Sequence, residues 1–163
     1  MIKKGKELAK YLRGKRVIVV AGELCNEIAF DGKKLLDYAA EISNKLGAPV
    51  AATGNTALTL KDKGVKSVKK TWAIELMNCM RWPWEKEKEH PQIADEKPQV
   101  LLFIGYRAPI AQSLVATVRK EDGKTVVVGS TYVENATYSF PNASSLTQWE
   151  HNLKEFVDSL EGI

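Results

Sequence analysis

The sequence predicts an α/β domain of three layers: a mostly parallel, doubly wound sheet with helices on both faces. Three observations carry this. Apolar, β-branched runs without polar alternation recur along the chain and stop at glycines, as strands covered on both faces do. Segments with apolar residues three and four apart lie between them, and that alternation implies βαβ units with right-handed crossovers. A chain of 163 residues suits one unit with a buried core, so residues 1–163 are expected to form a single domain.

The elements follow in order. Gly5 to Arg13 reads as a short helix with Leu8, Tyr11 and Leu12 on one side, and Gly14 closes it. Arg16-Val17-Ile18-Val19-Val20-Ala21-Gly22 is the first strand. Asp31 to Leu46 carries Leu35, Leu36, Ala39, Ala40, Ile42 and Leu46 at helical spacing and ends at Gly47. Ala48 to Thr53 is a second strand, Asn55 to Asp62 a helix ended by Gly64, and Thr71 to Met80 a third helix. In that third helix Trp72, Leu76, Met77 and Met80 share one face.

Arg81-Trp82-Pro83-Trp84 then breaks the periodicity, and the charged run to Pro98 is expected to be loop. Gln99 to Ile104 forms the next strand and ends at Gly105. Pro109 suits the first turn of a helix through Ile110, Leu114, Val115 and Val118 to about Arg119. Thr125 to Val128 is a fourth strand. Ser145-Leu146-Thr147-Gln148 matches a capping box and opens a last helix striped by Leu146, Trp149, Leu153, Phe156 and Leu160.

Composition excludes several function classes. The 24 Lys and Arg exceed the 20 Asp and Glu by only four, and cations sit beside acids, as in Glu85-Lys86-Glu87-Lys88-Glu89. That pattern is a solvated face, so no nucleic-acid partner is expected. No apolar run approaches the ~20 residues that span a bilayer, and no signal-peptide pattern follows Met1, so no membrane and a cytoplasmic location are expected. Cys25, Cys79, His90 and His151 are too few and too scattered for a zinc or iron–sulfur ligand set, so no metal site is expected. Cys25 and Cys79 read as small buried hydrophobes.

In a doubly wound sheet, ligands bind beyond the carboxyl ends of the strands. The glycine turns there nominate a cofactor pocket of Gly22, Glu23, Thr53, Gly54, Asn55, Gly105 and Tyr106. No G-x-G-x-x-G follows Val20 and no phosphate-loop motif occurs, which favours the plainer reading that the chain turns at glycines. Glu23 orients a ribose or caps a helix. His90 and His151 read as surface residues, and no catalytic residue is nominated. Trp82 and Trp84 flank Pro83 in polar surroundings, which marks them as partner-binding candidates.

The stretch from Lys3 to Gly54 resembles the central domain of thiamine-diphosphate enzymes, through Gly-Lys-Arg, Val-Ile-Val-Val-Ala-Gly and Leu46-Gly47-Ala48-Pro49-Val50-Ala51-Ala52-Thr53. That implies the Rossmann-like NAD/FAD-binding fold shared with deoxyhypusine synthase and sirtuins. The sirtuins' Gly-Ala-Gly loop, histidine motif and zinc cysteines have no counterparts here, so sirtuin chemistry is not expected.

Nearly the whole chain resembles the epsilon-subunit family of the archaeal carbon monoxide dehydrogenase/acetyl-CoA synthase (acetyl-CoA decarbonylase/synthase) complex of one-carbon metabolism. The strings that carry this are Leu101-Leu102-Phe103-Ile104-Gly105-Tyr106 and Tyr132-Val133-Glu134-Asn135-Ala136-Thr137-Tyr138-Ser139-Phe140-Pro141-Asn142, followed by the Trp149 helix. The resemblance implies a non-catalytic subunit paired with the CO dehydrogenase alpha subunit in an α2ε2 heterotetramer. It further implies stabilisation of that assembly and assistance to electron transfer to FAD, and it leaves self-association open. The other function class read from the glycine turns is an FAD- or NAD-binding electron-transfer module.

Overall fold

The computed structural model describes residues 1–65, 67–84, 94 and 96–161. The charged run to Pro98, and His90 with it, falls largely outside the described residues.

Helix α1 (Gly5–Leu12) leads into strand β1 (Val17–Ala21), all five residues of which are buried. A single helical turn, α2 (Leu24–Glu27), follows, then a two-stranded ribbon of β2 (Ala29–Phe30) and β3 (Lys33–Lys34). The Asp31 to Leu46 helix expected from periodicity is therefore corrected at its start. Asp31-Gly32 makes a tight hairpin turn, with Gly32 at φ +85°, and helix α3 begins only at Leu35 and runs to Leu46. Gly47 ends it in the left-handed conformation that glycine adopts without strain.

Strand β4 (Val50–Ala52), helix α4 (Gly54–Asp62) and strand β5 (Val68–Lys70) come next. No helical or alternating pattern signals β5, because two of its three residues are exposed lysines on a sheet edge. Helix α5 (Ala73–Cys79), strand β6 (Val100–Ile104), helix α6 (Ala108–Thr117) and strand β7 (Lys124–Val127) match the expected order. Strand β8 (Tyr138–Ser139) sits in what reads as a polar stretch, and helix α7 (Leu146–Ser159) closes the chain.

Three expected helix faces shift. Trp72 precedes α5 and stands 71% exposed, while Leu76, Met77 and Met80 are buried. Leu146 and Ile110 are likewise exposed in the first turns of α7 and α6, where the apolar stripe has not yet turned toward the sheet.

Among the described residues the main sheet has six strands in the order β5-β4-β1-β6-β7-β8, every neighbouring pair parallel. Without the β2–β3 ribbon, this is the doubly wound order 3-2-1-4-5-6, which reverses direction between β1 and β6. Alternate β1 residues face opposite cores. Val17, Val19 and Ala21 meet α1, α3, α4 and α7, whereas Ile18 and Val20 meet α5 and α6. That split is why the strand reads as continuously apolar.

Candidate functional site

The turns at the reversal point bond to each other. Gly22 N donates to Ile104 O at 2.9 Å, Leu24 N to Gly105 O at 3.0 Å and Cys25 N to Gly22 O at 3.2 Å. A Cβ on Gly22 would stand 2.5 Å from Gly105 O, and one on Gly105 would stand 2.5 Å from Cys25 Sγ. Gly105 also holds φ +86°. Glycine is therefore required at both positions, at Gly22 by backbone contact and at Gly105 by its positive φ and the buried Cys25 sulfur.

Cys25 fills the floor beneath this junction. It is fully buried, its Sγ lies 3.7 Å from Ile104 O, and burial pushes its thiol up to about 12. Tyr106 packs edge-on against Phe103, with centroids 6.2 Å apart. Burial holds its phenol above the ordinary value, and neighbouring Cys25 and Glu23 act in the same direction. These are the marks of packing rather than of an activated nucleophile.

An open cleft of about 850 Å³ lies beside the junction, over the β1–β4 side. Glu23, Thr53, Gly54, Asn55 and Tyr106, all expected at this site, line it. Gly105 lines a smaller adjoining hollow of about 170 Å³ instead, and Gly22 lies outside both linings, at the closed junction. Glu23 precedes α2 and makes no side-chain cap bond there.

Residues that the linear reading does not nominate complete the walls. Asn26 Nδ2 donates to Thr56 Oγ1 at 3.3 Å, and Thr59 Oγ1 donates to Asn26 Oδ1 at 2.9 Å, which ties α2 to α4. Arg107 Nη2 stands 3.7 Å from Glu27 Oε2 beside the smaller hollow, an exposed pair that contributes little to stability. Trp72, Ile74 and Ile110 give the cleft an exposed apolar rim. One signal marks Asn26 and Glu27 in the sequence: they follow the end of the first strand by only five and six residues.

The remaining candidates lie elsewhere. Trp82 is 64% exposed. Trp84 is half-buried against the core on the α5–α6 face, and its indole N–H donates to Cys79 O at 3.0 Å. His151 is exposed and stands 3.6 Å from Glu155 Oε2. Among the described residues, no three His, Cys, Asp or Glu side chains gather as a metal site, and no helix is long and apolar enough to cross a membrane.

No family model matches the chain. Two solved structures are similar in part. One is the CurF ER cyclopropanase from the curacin A biosynthetic pathway, with a TM-score of 0.44, 13% identity and 95% of this chain covered. The other is a probable oxidoreductase from Mycobacterium abscessus, with a TM-score of 0.42, 14% identity and 98% covered. This chain spans less than half of either, 44% and 43% of their lengths. By sequence, the chain is 26% identical over 151 residues to acetyl-CoA decarbonylase/synthase complex subunit epsilon 1 of Methanosarcina barkeri, covering 91% of this chain and 81% of that protein. It is 25% identical over 152 residues to the Archaeoglobus fulgidus protein of the same name, covering 91% and 77%. The chain is thus similar, along most of its length, to subunits of one multi-subunit complex.

Proposed function

We propose that this chain, acting as one α/β domain, is a non-catalytic accessory subunit of an acetyl-CoA decarbonylase/synthase complex in the cytoplasm of an archaeal cell. In this reading it docks on the CO dehydrogenase alpha subunit in an α2ε2 assembly and stabilises it. The carrying observation is the similarity to two epsilon 1 subunits over 91% of the chain. Two features of the molecule support it. The turns of β1 and β6 bond to each other, so the chain's own backbone packs tightly at the reversal point of the sheet. With two cysteines and two histidines, the chain also leaves cluster chemistry to its partner. Exposed Trp82 is the first residue to truncate in mapping the contact, with Trp84 as its half-buried neighbour.

Co-expression of this chain with the alpha subunit under anaerobic conditions tests the proposal. Recovery of both in one complex at native salt is expected; an alpha subunit that purifies without the chain counts against it.

The cleft favours a second reading, an FAD- or NAD-binding electron-transfer module. The start of α4 forms one wall and the exposed Trp72 indole the other, with Glu23, Thr53, Gly54, Asn55 and Tyr106 between them. Gly22 and Gly105 then serve as the packed base. Calorimetric titration of FAD and NAD into the chain and into the assembled complex decides this reading. Heat that vanishes in Trp72→Ala supports it, and no heat in either sample removes it.

A further inference from the structure

Because the main sheet is parallel, the residues leading into its strands collect at one edge, opposite the cleft. Lys15 and Arg16 lead into β1, Lys97 leads into β6, and Lys120 and Lys124 flank the turn that opens β7. These five cations come from three separate stretches of sequence, yet they line one hollow of about 520 Å³. Its floor is apolar, formed in part by Tyr11, Pro98 and Val100.

The charges there are poorly balanced. Glu121 and Asp122 share the lining, but both turn to Arg119, whose Nε stands 4.0 Å and 3.1 Å from their carboxylates. Arg16 meets exposed Glu96 at 3.3 Å. Lys15 Nζ donates to Tyr11 O at 2.6 Å, and Lys124 Nζ to Lys120 O at 3.3 Å. Among the described residues, none of the four lysines pairs with a carboxylate. The whole chain's formal excess is only +4, so this edge concentrates positive charge that the linear sequence disperses.

We infer that this basic edge docks a carboxylate-rich segment of a protein partner. A nucleic acid fits it less well on two counts. Tyr11, the aromatic ring of the hollow, is covered by Lys15 Nζ at 4.4 Å and packed edge-on against Tyr138 at 4.6 Å, so no base can stack on it. Exposed Glu96 and Glu121 also stand among the cations, where they repel a uniform phosphate backbone but complement a mixed protein surface. The inference rests on the accessory-subunit reading only in making the alpha subunit the owner of that segment.

The test uses the full chain and a fluorescent glutamate-rich peptide interspersed with two lysines, read by anisotropy at low salt. Lys97→Glu, Lys120→Glu and Lys124→Glu together are expected to weaken binding by about tenfold or more. Reversing Lys6, Lys61 and Lys69, which lie outside the hollow, gives the same net charge and is expected to leave affinity within about twofold. Equal losses in the two triple variants overturn the inference, because the peptide then senses net charge alone. Lys→Gln at Lys97, Lys120 and Lys124 covers unfolding by the reversed charges: binding is expected to fall with an unchanged circular-dichroism spectrum, and retained binding contradicts the inference. A single-stranded oligonucleotide of equal charge that outcompetes the peptide also overturns it. Titration with the alpha subunit separates the two proposals. A chain that holds the peptide at this edge but ignores the alpha subunit removes the function reading alone. Alpha-subunit binding that the edge variants leave intact removes the docking edge alone.

Discussion

Gly105 and Gly14 both hold positive φ, +86° and +73°, but in different surroundings. A methyl group on Gly14 meets nothing within 4 Å, while one on Gly105 meets Cys25 Sγ at 2.5 Å. Gly14→Ala therefore costs only backbone strain, about 1–2 kcal/mol. Gly105→Ala adds overpacking at the β1–β6 junction and is expected to cost about 2–4 kcal/mol. Urea denaturation at neutral pH checks the order, and equal costs contradict the packing described here. Cys25 makes a prediction of a different kind. Its thiol titrates near 12 when folded, against an ordinary value near 9.0, because burial disfavours the thiolate. The protonated form is the one the fold favours, so this contribution is complete below about pH 9 and disappears as pH rises toward 12. Wild type is expected to lose stability more steeply than Cys25→Ala between pH 9 and 11, measured as urea midpoints. Tyr38, also raised by burial, steepens both curves alike, and the part of Tyr106's rise that comes from Cys25 adds to the difference. Parallel slopes contradict the assignment to Cys25.

At the scale of elements, α7 is held at its start and along its buried face. Ser145 Oγ accepts from Gln148 N at 3.1 Å, as the capping pattern predicts. The reciprocal bond is displaced by one residue: Gln148 Oε1 accepts from Ser144 N at 2.6 Å rather than from Ser145 N. Ser145→Ala is expected to cost about 1 kcal/mol, seen as a lower thermal midpoint. Farther along, Tyr38 Oη donates to Glu150 Oε2 at 2.7 Å and ties α3 to α7 in a buried setting. Tyr38→Phe strips that carboxylate of a donor and leaves Lys154 Nζ at 3.8 Å from its other oxygen, so a loss of about 1–3 kcal/mol is expected. A neutral result in chemical denaturation excludes this bond as a stabilising link. The long elements were legible in the sequence because their signal is local, as in the uninterrupted apolar runs of β1 and β6. The ribbon of β2 and β3, the edge strand β5 and β8 were not. Each has two or three residues, and partners rather than composition make β5 and β8 strands: β5 pairs with β4, and β8 lies between β7 and the bridge at Ile2.

At the scale of the whole molecule, the parallel topology explains what the linear reading saw and what it missed. It saw that strand-end turns cluster, and five of the seven nominated pocket residues do line one cleft. It missed that Gly22 and Gly105 close on each other, since a contact between distant turns leaves no mark in either turn's composition. It also missed the basic edge, whose cations are dispersed along the chain and gathered only by the shared direction of β1, β6 and β7. A closed β1–β6 junction, an open cleft beside it and a charged edge opposite are the features on which the proposed partner-dependent reading rests. Sedimentation velocity of this chain titrated anaerobically into the CO dehydrogenase alpha subunit tests that account most directly. A single faster boundary saturating at one chain per alpha subunit is the predicted result. Two boundaries that keep their separate sedimentation rates at every ratio would contradict it.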